Sequence, residues 1–297
     1  MYPVLFHLPL YFVMWFCAAG FGIGIGIVDA RRAGFPTRRS LAALALAAVI
    51  VACGSKLLYL LETRFLPLDD YVPLEARGML HGFRIPGGIL LLGVTLPLLC
   101  RALALPWRRF GDAGAVALAG ALVFVRLGCF LNGCCFGRVS SLPWAITFPP
   151  QSWVLWYQRT QGLIGPTAER SLPVHPLQLY FLVAAAATMG LLLWFRGKLR
   201  EGSEQLLFYL LFFGTTALLE PLRANALTAN QWLAPIAAAS AAALLTRELR
   251  QARRPVANGG FVRTSMLMQA LRARVYAGPY GSSDHRGAAG EDNPRER

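Results

Sequence analysis

The chain has 297 residues, 56% of them hydrophobic and only 15% charged, with a formal net charge of +14 and a mean hydropathy of +0.47. A soluble domain carries about 25% charged residues, so polar groups could not cover this surface, and soluble Rossmann or barrel enzymes, collagens, coiled coils and secreted disulfide scaffolds are excluded. The positive excess does not indicate nucleic acid, because much of it flanks apolar runs, where Lys and Arg fix membrane topology, or lies in the polar C-terminal stretch.

A helix needs about 20 apolar residues to cross the hydrocarbon core of a bilayer. Runs at Val4–Val28, Leu41–Leu61, Ile85–Leu105, Ala113–Leu131, Leu177–Phe195, Leu206–Leu222 and Trp232–Leu245 therefore predict an all-α polytopic membrane protein with seven transmembrane helices. Seven crossings put the basic clusters Arg31–Arg39, Arg108–Arg109, Arg196–Arg200 and Arg247–Arg254 on one side. By the positive-inside rule that side is cytoplasmic, with the N-terminus outside and the C-terminus inside. The first run lacks a basic leader and reads as a retained helix. Its Gly20, Gly22, Gly24 and Gly26 predict close helix packing. Residues 1–250 form the expected transmembrane domain, with 132–174 as an outer loop or head segment, within which 140–170 is expected to hug the membrane because Trp144, Trp153, Trp156 and Tyr157 suit an interfacial belt. Residues 251–297 read as a polar, mostly disordered cytoplasmic tail.

Ionisable groups inside a span are costly, about 2.5–3.5 kcal/mol for a central Arg on insertion scales. Arg126 lies near the outer end of the fourth span, and Glu220 and Arg223 near the outer end of the sixth, spaced i, i+3 so that they can pair. The fourth span runs on through Gly128, Cys129, Asn132, Gly133, Cys134, Cys135, Gly137 and Arg138. Glycines that let backbone approach a ligand, flanked by two arginines, suit a phosphate-binding mouth. The third span is introduced by Arg77, Gly78, His81, Gly82, Arg84, Pro86, Gly87 and Gly88, and the fifth by Pro173, His175, Pro176, Gln178 and Tyr180; both face the same side.

These segments, in this order, resemble the prolipoprotein diacylglyceryl transferase family. Residues 126–134 are similar to its Arg-x-Gly-Asn-Phe-x-Asn-Gly-Glu signature, 175–180 to its His-Pro-x-Gln-Leu-Tyr, Gly87 and Gly88 to the glycines of its His-Gly-Gly segment, and 220–223 to its Glu-x-x-Arg run, with Tyr11 at a first-span tyrosine. The resemblance covers roughly residues 5–245. It implies a bacterial inner-membrane enzyme that moves diacylglycerol from phosphatidylglycerol to the lipobox cysteine of prolipoprotein signal peptides, releasing glycerol phosphate. The thiolate is the nucleophile, and the departing phosphate must be held by Arg and amide donors. On this resemblance Arg126 and Asn132 hold the headgroup, Gly133 and Gly137 shape the loop, and Glu220 and Arg223 order the opposite wall. Tyr11 lines the cavity with Gly87 and Gly88, and His175, Gln178 and Tyr180 brace the outer segment. Membrane lipids are the other expected partners; nucleic acid, cofactor and metal are not expected.

The chain departs from the family pattern at four places. Pro86 occupies the position of the proposed base histidine, with His81 and Glu220 as candidate replacements. Cys129 and Cys134 replace the signature asparagine and glutamate, and Thr216 replaces an arginine for which Arg84 is the candidate stand-in. These changes motivate an alternative reading, a catalytically impaired relative that binds lipid or peptide. A transporter or channel ranks below both, because the polar residues gather at the outer interface rather than near the midplane. Cys17, Cys53 and Cys100 read as apolar packing residues. For Cys129, Cys134 and Cys135, on the outward side, packing or a structural disulfide ranks ahead of redox or metal chemistry.

Overall fold

Each apolar run contains a helix in the structure, a computed structural model that describes residues 4–5, 8–65, 82–150, 152–224 and 228–252. The helices are α1 (Leu10–Arg32), α2 (Thr37–Phe65), α3 (Ile85–Ala102), α4 (Trp107–Asn132), α5 (Trp153–Thr160), α6 (Leu177–Phe195), α7 (Ser203–Leu219) and α8 (Asn230–Ala252). A 3-10 turn over Glu220–Leu222 continues α7. The first run starts later than its apolar pattern predicts. A two-residue antiparallel pair, β1 (Val4–Leu5) and β2 (Leu8–Pro9), precedes α1, and Pro9 biases Leu8 toward extended backbone.

Six helices, α1, α2, α3, α4, α6 and α7 with its 3-10 turn, are long and apolar enough to cross a membrane. Where the seventh span was expected the chain forms the helix α8, which is not apolar enough to join these six. Its apolar part is mostly alanine, and Asn230, Gln231, Arg247, Glu248 and Arg250 lie within its ends.

Helix α4 is the central element, with α1 along one flank and α6 and α7 along the other. Ala115, Ala117, Ala119 and Gly120 are buried in it, and small side chains let neighbouring backbones come close where lipid supplies no hydrophobic drive. Leu122, Leu192, Phe208, Phe212, Phe213 and Ala234 fill the adjoining core. Val94, Leu98, Trp194, Leu218 and Trp232 are 68–78% exposed. Such a periphery would be a liability in water and is suited to lipid. In α1 the glycine run packs only at alternate members: Gly22 faces Ala121 and Gly26 faces Leu44, whereas Gly20 and Gly24 meet nothing. Four-residue spacing follows one helix face.

The basic clusters are gathered at one end of the bundle. Buried Asp29 takes both terminal guanidinium nitrogens of Arg196, joining α1 to the end of α6, and Glu248 of α8 pairs with Arg108 of α4 and with Arg200.

At the opposite end, the described residues of 132–174 form a small folded head. Phe136, Phe148, Val154, Tyr157 and Val174 make its own core, and bridges join Val139 and Ile146 to Val174. Tyr157 is therefore buried, with its hydroxyl donating to the Ala224 carbonyl at 3.3 Å, while Trp144 is exposed. The C-terminal tail from 253 onward and His81 lie outside the described residues.

Candidate functional site

Arg126 sits six residues before the end of α4 and is only 6% exposed. Its guanidinium lies 4.1 Å from the centre of the Phe181 ring, a cation–π contact. Among the described residues no carboxylate pairs with it. A narrow crevice, with room of only about 20 Å³, runs between α4, α6 and α7, lined by Phe181, Phe208, Phe212 and Thr188 among others, with Arg126 at its outer end. A buried cation at the end of an apolar crevice is suited to an anionic group.

Beyond Arg126 the helix must stop. Gly133 takes a left-handed backbone (φ 64°) and caps α4, its N–H reaching back to Phe130 O. Asn132, the last residue of α4, makes no side-chain hydrogen bond among the described residues. The chain then threads between two strands of backbone. Gly137 N–H donates to His175 O at 3.0 Å, Arg138 N–H to Leu222 O at 2.8 Å, and Ala224 N–H to Phe136 O at 3.3 Å. Gln178 is fully buried and donates to Cys134 O at 2.7 Å. Tyr180 accepts from Trp144 Nε1 at 2.7 Å and lies 3.3 Å from His175 Nδ1. The sixth-span end, the fifth-span start and the loop after the fourth span thus meet at Gly137.

A Cβ at Gly137 would lie 2.6 Å from His175 Cβ and 2.9 Å from Leu222 O. Gly137→Ala is therefore expected to prise the loop off its neighbours, costing about 1–3 kcal/mol through overpacking. The check is the thermal midpoint in detergent, alongside faster proteolysis within 133–174.

Glu220 is 1% exposed and forms the other wall. Its Oε1 accepts from Arg223 Nε at 2.8 Å, Thr228 Oγ1 at 2.8 Å and Asn230 Nδ2 at 3.4 Å. A second carboxylate, not singled out from the sequence, acts beside it. Glu62, also 1% exposed, pairs with Arg84 through Oε2 and accepts Ala229 N–H at 2.9 Å through Oε1. Two buried acids from α2 and α7 therefore hold residues 228–230 from both sides. The available signal was an acidic residue closing α2 and an arginine opening α3 on the same side.

Gly87 and Gly88, expected at the cavity, lie at the α2–α3 crossing. A Cβ on Gly88 would come 2.3 Å from Val51 O, and one on Gly87 2.7 Å from Gly54 O. Pro86 is buried in the first turn of α3 and offers no proton acceptor. Thr216 is buried, with its hydroxyl on Phe212 O at 2.8 Å.

All six cysteines are free, so the outer disulfide expected as one alternative is not formed. The sulfurs of Cys129, Cys134 and Cys135 lie within 4.8 Å of one another. Gly133 and Cys135 both take left-handed backbone (φ 64° and 59°), which folds the chain back so that positions five and six beyond Cys129 reach it. Tyr11 and Trp15 of α1 pack over this cluster with Val125 and Trp153. Hydrogen bonds from Cys129 and Cys134, with Arg223 and Arg126 nearby, hold the Cys135 thiol well below its ordinary range, while the Cys134 thiol is pushed well above it.

The model of the prolipoprotein diacylglyceryl transferase family matches residues 3–247. A phosphatidylglycerol–prolipoprotein diacylglyceryl transferase of Clostridium tetani is 27% identical over 161 residues, 54% of this chain and 58% of that protein. One from Polynucleobacter necessarius is 36% identical over 104 residues, 35% of this chain and 33% of that protein. A Clostridium perfringens enzyme of the same name, numbered 2, is 26% identical over 204 residues, 65% of this chain and 73% of that protein. The matched stretch thus spans less than two thirds of the first two relatives.

Proposed function

Because the chain belongs to the prolipoprotein diacylglyceryl transferase family, we propose that it transfers the diacylglyceryl group of phosphatidylglycerol to the lipobox cysteine thiol of prolipoproteins, releasing glycerol phosphate. It is a protein of the bacterial inner membrane, and the reaction is assigned to the outer face. There α8 completes a seventh crossing, with the N-terminus outside and the C-terminus cytoplasmic.

The observation that carries this reading is Arg126, a buried guanidinium without a carboxylate partner among the described residues, at the end of an apolar crevice. A buried charge is costly unless compensated, and the phosphodiester of a lipid whose acyl chains stay in the surrounding bilayer supplies the missing anion. Asn132 and the loop from Gly133 to Gly137 face the headgroup. Glu220 keeps Arg223 in place on the opposite wall, and Tyr11 closes the cavity from α1. His175, Gln178 and Tyr180 act by holding the outer loop against α6 rather than by touching substrate. As charge develops on the departing phosphate oxygen, preorganised donors stabilise it more than they stabilise the intact lipid.

The test is release of glycerol phosphate by purified full-length protein in phosphatidylglycerol liposomes, with and without a lipobox peptide. Release that depends on the peptide's cysteine is expected. Tight phosphatidylglycerol binding with no release would establish the non-enzymatic lipid-binding relative instead.

A further inference from the structure

The three outer thiols pose a chemical question that the family pattern leaves open. Cys129 and Cys134 are buried and Cys135 is partly exposed, so the cluster has two closed sides and one open side. A tetrahedral zinc centre with metal–sulfur bonds of about 2.3 Å sets its sulfurs about 3.8 Å apart. Three sulfurs already within 4.8 Å of one another reach that spacing by small side-chain rotations. The ligand residues are held from outside: Gln178, fully buried, fixes the carbonyl of Cys134, and its own Oε1 is buried without a partner. Such fixing of a ligand residue is what a metal site requires of its surroundings.

We infer that Cys129, Cys134 and Cys135 form a three-thiolate site for a divalent cation of the zinc class, whose open fourth position takes the acceptor thiol of the prolipoprotein. The inference rests on the transferase reading for the identity of that thiol, while the metal site itself stands on the cluster. Zinc is favoured over cuprous copper because three thiolates satisfy a trigonal copper centre and leave no place for a fourth ligand, whereas zinc takes four. Three thiolates and one divalent cation carry one net negative charge, which Arg126 and Arg223 beside the cluster accommodate.

The chemistry balances without any further reactant. The acceptor R–SH displaces a metal-bound water and gives up its proton to solvent, because a thiol that coordinates the metal is deprotonated outright. The bound thiolate attacks the phosphate-bearing CH2 of the diacylated glycerol. The S–C bond forms, the C–O bond breaks, and the electron pair stays with the phosphate oxygen near Arg126. The product thioether is a weak ligand and yields its place to water. This supplies the thiolate that Pro86 cannot generate.

The full-length protein, reduced and purified in detergent, is titrated with Co(II) as the spectroscopic stand-in for Zn(II). One equivalent with an intense sulfur-to-cobalt charge-transfer band is expected. The band should gain intensity when a lipobox peptide is added and stay unchanged with the peptide's cysteine replaced by serine. Each of Cys129→Ser, Cys134→Ser and Cys135→Ser should weaken Co(II) uptake at least tenfold. X-ray absorption of the unmutated zinc-loaded protein provides a readout independent of variant folding, with three sulfur scatterers rising to four on peptide addition. Uptake of Cu(I) but not Zn(II) or Co(II), or a cobalt spectrum indifferent to the peptide thiol, overturns the proposal. A peptide-sensitive cobalt spectrum in protein that releases no glycerol phosphate upholds the site and removes the transferase reading alone.

Discussion

Arg126→Ala is expected to lower diacylglyceryl transfer by at least about 10²–10³-fold, the loss typical of removing a donor that stabilises developing negative charge. The helical fold should survive. Arg126 is buried and has no carboxylate partner among the described residues, so truncation orphans no anion there and removes a desolvated cation. A thermal midpoint unchanged or raised, with activity gone, separates a functional arginine from a structural one. Arg126→Lys should recover only part of the activity. The ammonium keeps the charge but loses the planar fork that meets two phosphate oxygens at once, and it stacks less well on Phe181. Transfer assays on the three proteins, paired with melting curves, check both halves of the expectation.

Glu220→Ala should have the opposite signature, a loss of stability of about 3–5 kcal/mol, because breaking a buried ion pair leaves an uncompensated charge in place. Arg223 Nε would lose its acceptor at 2.8 Å, and Thr228 and Asn230 would lose the oxygen that anchors the start of α8. Glu220→Gln keeps a carbonyl oxygen for these donors and gives up only the charge, so it should fall between the parent and the alanine variant. Denaturation in detergent measures the order. Equal melting of all three proteins would show that Glu62, which holds Ala229 from the other side, suffices alone.

The helices were legible because their signal is long and uniform. The fifth run, Leu177–Phe195, coincides with α6 to the residue, since Pro176 before it and Arg196 after it are unambiguous punctuation. The first run was misjudged at its start, where Val4 to Pro9 is apolar enough for a helix but forms a two-residue strand pair; hydropathy carries no information on backbone hydrogen bonding. The internal order of the head segment was not legible for a related reason. Its order comes from long-range backbone bonds such as Gly137 to His175 and Arg138 to Leu222, which leave no local period in the sequence. Arg126, Glu220 and Arg223 stood out as charges within apolar runs. Glu62 did not, because an acid at a helix end reads as flanking polarity until the fold brings Arg84 and Ala229 to it. The three cysteines were visible, but their convergence depends on left-handed backbone at Gly133 and at Cys135, the second of which no residue preference would predict.

The most direct test of the account is the intact mass of a lipobox peptide after incubation with the purified full-length protein in phosphatidylglycerol liposomes. The account predicts a gain of one diacylglyceryl group on the cysteine, absent with Arg126→Ala protein and absent when the peptide's cysteine is serine. A peptide of unchanged mass, in the presence of folded protein that still binds phosphatidylglycerol, would contradict it.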